Sequence, residues 1–470
     1  MLLTVIPAVV LALLAGLGVK LILEKMGSEF RITNKEYLVG SLVVVFAVAP
    51  LVGYIGWSLA RNNLVTYNEY WNGWETAVER DDVTCREDGS CYWTYDCHPY
   101  QVYVSQQCSN SNGKGSHECG HWETRYHQCP YVKVETTYNV ETTLGSYVIS
   151  AHRLPDNPQA YRWDSWKTVP GSVIDRAGTG VPKFWDTVKG RIESASPGPV
   201  TARREYKNYI LASDSTILKQ HSSDIGRYQK QGLLPPVASS VQEFYDADKI
   251  HFVGYRSDDR AVWQSSLKRL NAALGTELQG DVQIVVVHNP VINEDPDSYT
   301  LALKATWQDM KIFGKNAFSK NGIGIVIGTS DGKTIAWARA FTGMPLGNEH
   351  MVVAIESALK GQPLDPAKIL GPISTTSMVT KGTTRSSLRI AKTGHLGIIA
   401  PILWGDNDRS LRFTRVGMSG KGSGQGSGFL FLYSEISPND EQKMWIAIVT
   451  FLLACVVWVA AAVINTRYMR

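Results

Sequence analysis

Three long runs of apolar residues interrupt a chain that is otherwise mixed in polarity. Residues 2–19, 38–60 and 444–464 contain no Asp, Glu, Lys or Arg. A helix of about 20 apolar residues, rising about 1.5 Å per residue, crosses a hydrocarbon layer of about 30 Å. The pattern therefore predicts three transmembrane helices, at residues 1–23, 38–60 and 444–464.

The first run has an alternative explanation as a cleaved signal peptide. Such a peptide carries a positive charge ahead of its apolar stretch, whereas no Lys or Arg precedes Lys20. We therefore expect this run to persist as a transmembrane helix in the mature chain.

Basic residues beside the apolar runs predict how the chain crosses the membrane. Loops rich in Lys and Arg stay in the cytoplasm, and such residues cluster in the first linker and in the carboxyl-terminal tail: Lys20, Lys25, Arg31, Lys35, Arg467 and Arg470. The linker 24–37 and the tail 465–470 are therefore expected in the cytoplasm. The amino terminus and residues 61–443 then lie on the opposite side of the membrane.

The compartment follows from a second observation. The chain contains no Asn-x-Ser/Thr acceptor for N-glycosylation. This absence favours a bacterial envelope, with the chain in the inner (cytoplasmic) membrane and residues 61–443 in the periplasm or another extracytoplasmic space.

Six of the seven cysteines fall within one stretch of the expected exported part: Cys85, Cys91, Cys97, Cys108, Cys119 and Cys129. An even set of thiols in an oxidising compartment predicts up to three disulfides, with 15 alternative pairings that spacing does not separate. Zn²⁺ is the alternative, because His98, His117, His121 and His127 lie among these cysteines. Structural zinc sites usually contain a C-x₂-C pair, which is missing here, so disulfides are favoured and Zn²⁺ is not expected.

Two regions of different periodicity follow the second apolar run. Alternation of apolar and polar residues from Tyr131 to Thr143 is typical of half-buried strands. Residues 61–240 are therefore predicted to form a β-rich module with a cysteine-rich insertion at 85–129. From residue 241 helical and extended patterns alternate, which predicts an α/β sandwich over residues 241–372. A β-containing, Gly/Ser-rich linker is expected at 373–443.

The elements of this second region are predicted in detail from apolar spacing and turn residues. Asp258 and Asp259 begin a helix with apolar positions Val262, Leu267, Leu270 and Leu274, which Gly275 ends. A fully apolar run then predicts a buried strand. The remaining predicted elements are strand 283–288, helix 299–313, strands 321–328 and 333–339 joined by a tight turn, and helix 350–360.

This order of elements resembles the TPM domain family, over residues 241–365 only. The resemblance rests on the strand Gln283-Ile-Val-Val-Val, the acidic loop after it, and the strand Asn321-Gly-Ile-Gly-Ile-Val-Ile. Bacterial members also place a Gly/Ser-rich tract before a membrane span, as Ser419–Gly428 does here. The chain departs from the family in the shifted glycine at Gly343 and in its cysteine-rich module.

The resemblance implies a membrane-tethered domain of the kind linked to photosystem repair in thylakoids and to receptor modulation in animals. Some members are described as phosphatases or as binding divalent cations in an acidic groove. For this chain, that implies a Ca²⁺ site at Asp258, Asp259, Asp295 and Asp297, since carboxylates are hard oxygen ligands. The alternative is that Asp258 and Asp259 stabilise a helix amino terminus and that the loop acids are solvated.

Other signatures of chemistry are weak. With 47 basic and 43 acidic residues and a net charge of +4, no wide cationic face is expected, which argues against nucleic acid as a partner. Gly422–Gly428 only approaches the Gly-x-Ser-x-Gly motif and does not lead from a strand into a helix. His288, at a strand end, is a candidate acid/base group or a satisfied edge residue.

Two classes of function therefore remain. The favoured one is a membrane-anchored α+β protein, not an enzyme, that lies in a lipid bilayer and binds another membrane or envelope protein, or a second copy of itself, to assist assembly, turnover or gating. Its expected anchors are exposed tryptophans from the set Trp71, Trp74, Trp93, Trp122, Trp163 and Trp166. The alternative is a divalent-cation-dependent phosphatase in the TPM-like domain.

Overall fold

The computed structural model describes residues 2–25, 32–84, 94–109, 116–130, 134–154, 157–167, 177–213, 222–237, 248–371, 373–418 and 428–468. The helices, in chain order, are α1 (Leu2–Lys25), α2 (Asn34–Val43), α3 (Ala49–Leu64), α4 (Lys183–Glu193), α5 (Tyr209–Ala212), α6 (Ser222–Gln229), α7 (Arg260–Leu278), α8 (Pro290–Glu294), α9 (Pro296–Trp307), α10 (Met310–Phe313), α11 (Glu349–Leu359), α12 (Pro366–Ile369), α13 (Ile399–Trp404) and α14 (Asp440–Tyr468).

The strands are β1 (Thr66–Thr84), β2 (Thr94–Val104), β3 (Gln107–Ser109), β4 (Ser116–Glu118), β5 (His121–Pro130), β6 (Val134–Thr142), β7 (Gly145–Leu154), β8 (Asn157–Lys167), β9 (Ala177–Thr179), β10 (Pro199–Lys207), β11 (Ile250–Val253), β12 (Asp281–Val287), β13 (Gly322–Thr329), β14 (Ile335–Thr342), β15 (Ile373–Thr380) and β16 (Arg385–His395). The molecule is therefore an α+β protein, as predicted.

Among the described residues three helices are long and apolar enough to cross a membrane, which agrees with the predicted number. The second is a single 31-residue helix over 34–64, because α2 and α3 are joined by a π-helical turn at Val44–Val48. Pro50 explains the irregularity, since it has no N–H to offer the preceding turn. The observed helices extend beyond the apolar runs, to Asn34 and Leu64 in the second and to Asp440 in the third.

Small residues and one tryptophan hold these helices together. Trp458 of α14 donates its indole N–H to the carbonyl of Ala12 at 3.1 Å and stacks on Tyr37 at a centroid distance of 5.2 Å. A Cβ at Gly16 or Gly40 would collide with the Trp458 ring. Glycine is therefore required for this close approach, as is common between helices in membranes.

The contacts also show which helix ends lie together. Val5, Ala60 and Ile446 form one small cluster, and at the opposite end Lys20 donates to the side chain of Asn34. The carboxyl end of α1 and the amino end of α2 therefore lie at the same end of the bundle as the carboxyl end of α14. Residues 65–439, which we call the folded part, extend from the other end.

An eight-stranded sheet is organised around β1, which follows α3 after the single residue Val65. The order is β15-β16-β1-β6-β7-β8-β9, and β10 pairs with the first half of β1 from Thr66 to Trp74. Helix α4 packs its buried Trp185, Val188 and Ile192 on this sheet.

The hairpin β15–β16 lies in the segment 373–443, for which a β-containing, Gly/Ser-rich linker was expected. Its strand β16 pairs with β1 at Ala77, Val78 and Glu79. Helix α13 of the same segment enters the core of the second sheet. The strand partners lie about 300 residues apart along the chain, and local periodicity carries no signal of such a pairing.

The second sheet has the order β11-β12-β13-β14, in which β11, β12 and β13 are parallel and β14 is antiparallel. Strands β12 and β13 are buried along their whole length. One face packs on α7, α11, α12 and α13, and the other on α6 and α9. Helices therefore cover both faces of a mostly parallel sheet.

The predicted elements of this region differ from the observed ones in three details. Val262 is 45% exposed, and its neighbour Trp263 is buried in its place. The helix passes through Gly275 and ends at Leu278, with Gln279 in the left-handed region. The predicted helix 299–313 divides into α9, which ends at Trp307, and the short α10.

Candidate functional site

The carboxyl ends of the parallel strands β11, β12 and β13 form the edge where ligands bind in open α/β sheets. His288 follows β12 and is exposed. The ring of Tyr255, which follows β11, lies 6.4 Å from His288, and its hydroxyl donates to the carbonyl of Gly332 at 3.4 Å. This edge is therefore open and polar.

The four predicted Ca²⁺ ligands lie at or near this edge, but they do not converge. Asp258 and Asp259 are exposed just before α7. Asp295 caps α9 by accepting the N–H of Ser298 at 3.1 Å. In the part of the chain that the structure describes, no three of these carboxylates have oxygen atoms within 4.8 Å of one another. The geometry gives no support to a single cation site made of all four.

Asp297 is instead paired with Arg339 of β14. The hydrogen bond from Arg339 lowers the pKa of Asp297. Asp295 caps the amino terminus of α9, and Asp297 forms an ion pair with Arg339. These two acidic residues therefore have structural roles, as was considered for Asp258 and Asp259.

A further acid at this edge, Asp331, is held by a turn. It accepts backbone N–H groups of Lys333 at 2.8 Å and Thr334 at 2.7 Å, and the hydroxyl of Thr329 at 3.1 Å. These hydrogen bonds lower the pKa of Asp331 to about 2. The carboxylate stabilises the β13–β14 hairpin in the manner of an Asx turn.

The amino edge of the same sheet contains a buried ionic cluster. Lys249 precedes β11 and forms an ion pair with Asp281, the first residue of β12; their side chains are 3% and 1% exposed. Asn72 of β1 joins both, since its Oδ1 accepts from Lys249 Nζ at 2.9 Å and its Nδ2 donates to Asp281 at 2.9 Å. Thr201 of β10 donates to the same Asn72 oxygen at 2.8 Å.

This cluster joins the two sheets. A Cβ at Gly275 of α7 would collide with the backbone carbonyl of Asn72. Asn321, just before β13, donates to the carbonyl of Tyr70 at 3.0 Å. Burial raises the pKa of Tyr70 to about 12. Strand β1 therefore packs directly along the amino edge, with polar groups paired across the junction.

A second charged group lies closer to α3, near the start of β1. Glu69 of β1 is 2% exposed and accepts from Arg415 and, at 2.8 Å, from the indole of Trp71. Lys320 lies with its Nζ 5.1 Å from the Tyr206 ring, and burial lowers the pKa of Lys320. The sequence did not predict this group or the Lys249–Asp281 cluster, because the members of each are single charged residues in segments far apart along the chain.

An Asp–His pair was also missed. His395 at the end of β16 has Nδ1 2.7 and 2.9 Å from the two carboxylate oxygens of Asp406, and its ring packs on Trp404 at 4.2 Å. Its Nε2 is buried and, among the described residues, contacts no hydrogen-bond partner. Since no hydroxyl or thiol reaches that nitrogen there, the pair lacks the nucleophile of a hydrolase triad.

The cysteine-rich insertion forms a two-stranded arm, β2 paired with β5. Cys97 and Cys129 are joined by a disulfide with a Cα–Cα distance of 5.6 Å, and Cys119 is also disulfide-bonded. Cys85, Cys91 and the Cys108 side chain lie outside the described residues. Ligand atoms of Cys97, His98 and Cys129 lie within 4.8 Å of one another, but the two sulfurs are bonded to each other and supply no thiolate for Zn²⁺.

Aromatic side chains on the arm face solvent. The exposed fractions are 41% for Tyr100, 45% for Tyr103, 67% for Trp122 and 51% for Tyr126. Tyr103 and Trp122 are directly opposite each other across the strands and contact edge to face at 5.3 Å. Because β5 is exposed from His121 to Gln128, this surface is not part of a core.

The other predicted anchors differ from Trp122. Trp71 is half-buried and donates to Glu69, and Trp74 is half-buried against the core of the second sheet. Trp93 and the side chains of Trp163 and Trp166 lie outside the described residues. Comparison with known proteins finds no matching family model, curated protein or solved structure.

Proposed function

We propose that this chain is an integral membrane protein that binds another membrane or envelope protein and thereby assists its assembly, turnover or gating. The observation that carries the proposal is the disulfide-closed arm β2–β5, whose aromatic side chains are exposed. Large aromatic residues on an accessible surface are the usual anchors of protein interfaces. Tyr103 and Trp122 form a contacting pair on one face of the arm, while Tyr100, opposite Arg125, lies on the other face.

The arm is suited to this task because it is held without a core of its own. Two strands alone are marginally stable in water. The Cys97–Cys129 disulfide stabilises the arm, because it limits the conformations open to the unfolded segment. A partner then meets rings that are already ordered, which lowers the entropic cost of binding.

The placement of the arm outside the cytoplasm is part of the proposal. At one end of the bundle Lys20 donates to Asn34, Lys25 ends α1 and Lys35 lies in the first turn of α2, while the folded part extends from the other end. Basic residues favour the cytoplasmic side, so we place the folded part in the periplasm or another extracytoplasmic space of an inner membrane. The disulfide agrees with such a compartment.

We also propose that residues 241–372 are a TPM-like domain, on the basis of their element order. The phosphatase activity that this resemblance implies finds no support in the positions of Asp258, Asp259, Asp295 and Asp297, two of which are occupied with capping and ion pairing. Binding is therefore the function that the geometry favours.

Photo-crosslinking in native membranes tests the binding function. A photoreactive amino acid replaces Trp122 in the full chain, and a matched control replaces Met378 of β15, which is 72% exposed. We expect a discrete crosslinked product with another membrane or envelope protein from position 122 and none from position 378. Equal labelling at the two positions, or no product at position 122, would overturn the proposal.

A further inference from the structure

A short apolar segment lies near the end of the folded part, shortly before α14. The 3₁₀ turn Phe429–Ser434 has the sequence Phe-Leu-Phe-Leu-Tyr-Ser. Leu432 is 8% exposed and belongs to a core cluster with Val65 and Ile436, whereas Leu430 is 47% and Phe431 65% exposed. Two large apolar side chains therefore face outward next to a buried one.

Contacts with the second span fix the level of this turn. The guanidinium of Arg61 lies 4.1 Å from the ring centroid of Tyr433 and donates to the carbonyl of the same residue. Arg61 is the first charged residue after the uncharged run 38–60, and its helix ends at Leu64. The turn is therefore attached to the point where the helix leaves the apolar part of its sequence.

Helix length shows what surrounds that point. The helix over 34–64 has 31 residues, which at about 1.5 Å per residue gives about 46 Å. The hydrocarbon layer is about 30 Å thick and the bilayer with its headgroups about 40–45 Å. Arg61 therefore lies at the headgroup level, where arginine side chains place their charge. Asp440, which begins α14, follows the turn closely.

We propose that Leu430 and Phe431 insert into the interfacial layer of the same bilayer, on the side that carries the folded part. Aromatic residues concentrate at this depth, and apolar side chains gain by leaving water there. The turn thereby holds the folded part against the lipid surface. Its buried side packs on α5, so only its outer side is free. The occupant of that side is lipid, because the turn lies just before α14 on the chain and is bonded to Arg61 at the end of the second long apolar helix.

The experiment uses the full chain in lipid nanodiscs. An environment-sensitive fluorescent amino acid replaces Phe431 or, in a second chain, Leu430, and the lipids carry bromine near the glycerol end of their acyl chains. Phe46, 74% exposed within the second span, gives the positive control. Met378 is the matched negative control because it lies far from the helix bundle. Its strand β15 pairs with β16, and β16 pairs with β1 at Ala77. Ala77 is about 36 Å along β1 from Thr66, where the strand leaves α3.

We expect brominated lipid to lower the emission roughly twofold or more at position 431 or 430, as at position 46, with little change at position 378. The proposal is overturned if neither position 430 nor position 431 is quenched more than position 378 while position 46 is quenched. Because both side chains are exposed, their replacement leaves the core cluster around Leu432 intact.

Discussion

The two edges of the four-stranded sheet have opposite characters. At the carboxyl edge, Asp258, Asp259 and His288 are exposed, and Asp297 is paired at the surface with Arg339. At the amino edge, Lys249 and Asp281 are buried and bonded to Asn72 of the other sheet. The acidic residues that were predicted to bind a cation are therefore exposed to solvent. The charges expected to affect the free energy of unfolding most are buried at the junction with β1.

The difference concerns the environment of the charges more than their number. An exposed ion pair contributes little because water solvates both partners. A buried pair gains or loses several kcal/mol according to whether every polar atom has a partner. At the amino edge Asn72 bonds both members of the pair and Thr201 bonds Asn72, whereas Asp281 Oδ2 has no hydrogen-bond partner among the described residues. The bonds of Asn72 join β1 to the second sheet and so help to specify how the two sheets dock.

The largest expected effect is at the buried pair. Asp281→Ala leaves the Lys249 ammonium buried without a counter-charge, and we expect the free energy of unfolding to fall by about 3–5 kcal/mol. Chemical unfolding of the full chain in detergent micelles measures this. Arg385→Ala, which removes surface pairs with Glu79 and Glu141, is the control and should cost less than about 1 kcal/mol. Equal losses would erase the contrast between buried and exposed charges.

The close approach at Gly275 gives the next effect. In Gly275→Ala the new methyl group meets the carbonyl of Asn72, and we expect a loss of about 1–3 kcal/mol from overpacking. Gly190 of α4 has open space around a Cβ, so Gly190→Ala should instead gain up to about 1 kcal/mol from helix propensity. A gain in both variants, in the same unfolding assay, would show that α7 and β1 are not in tight contact.

A small effect is expected at the carboxyl edge. Asp297→Asn removes the ion pair with Arg339, whose side chains are 70% and 30% exposed. We expect a loss below about 1 kcal/mol that shrinks further at high salt, since exposed charges are screened. Unfolding at low and high ionic strength measures it. A salt-independent loss as large as that of Asp281→Ala would contradict the assignment of this edge as solvated.

The smallest effect is the pH dependence at Asp331. Its folded pKa of about 2 lies below the value of about 3.9 for an unfolded Asp. The stabilising contribution is therefore present above the unfolded pKa and is lost as the pH falls through about 2. The difference in the free energy of unfolding between the wild-type chain and Asp331→Asn should shrink as the pH falls from about 4 to about 2. Acid unfolding measures it, with Asp258→Asn as the exposed control. Curves that stay parallel down to pH 2 would contradict this.

Several elements were predictable because their signals are local. The buried strands β12 and β13 are continuous apolar runs, and α11 carries its buried Met351, Ile355 and Leu359 at helical spacing. Val262 was wrongly assigned to the buried face of α7, because the buried stripe of this helix contains Trp263 instead. The four-carboxylate Ca²⁺ site stays a prediction, because proximity to a strand end does not reveal that Asp295 caps a helix and Asp297 binds Arg339.

The sequence by itself determined the three long apolar helices and the alternating elements of the second sheet, because length, apolarity and periodicity act over neighbouring residues. Only the tertiary structure decided that β16 joins β1, that Lys249 meets Asp281 and Asn72, and that Arg61 meets Tyr433. These contacts join residues far apart along the chain, and their energies depend on burial, which no local pattern records.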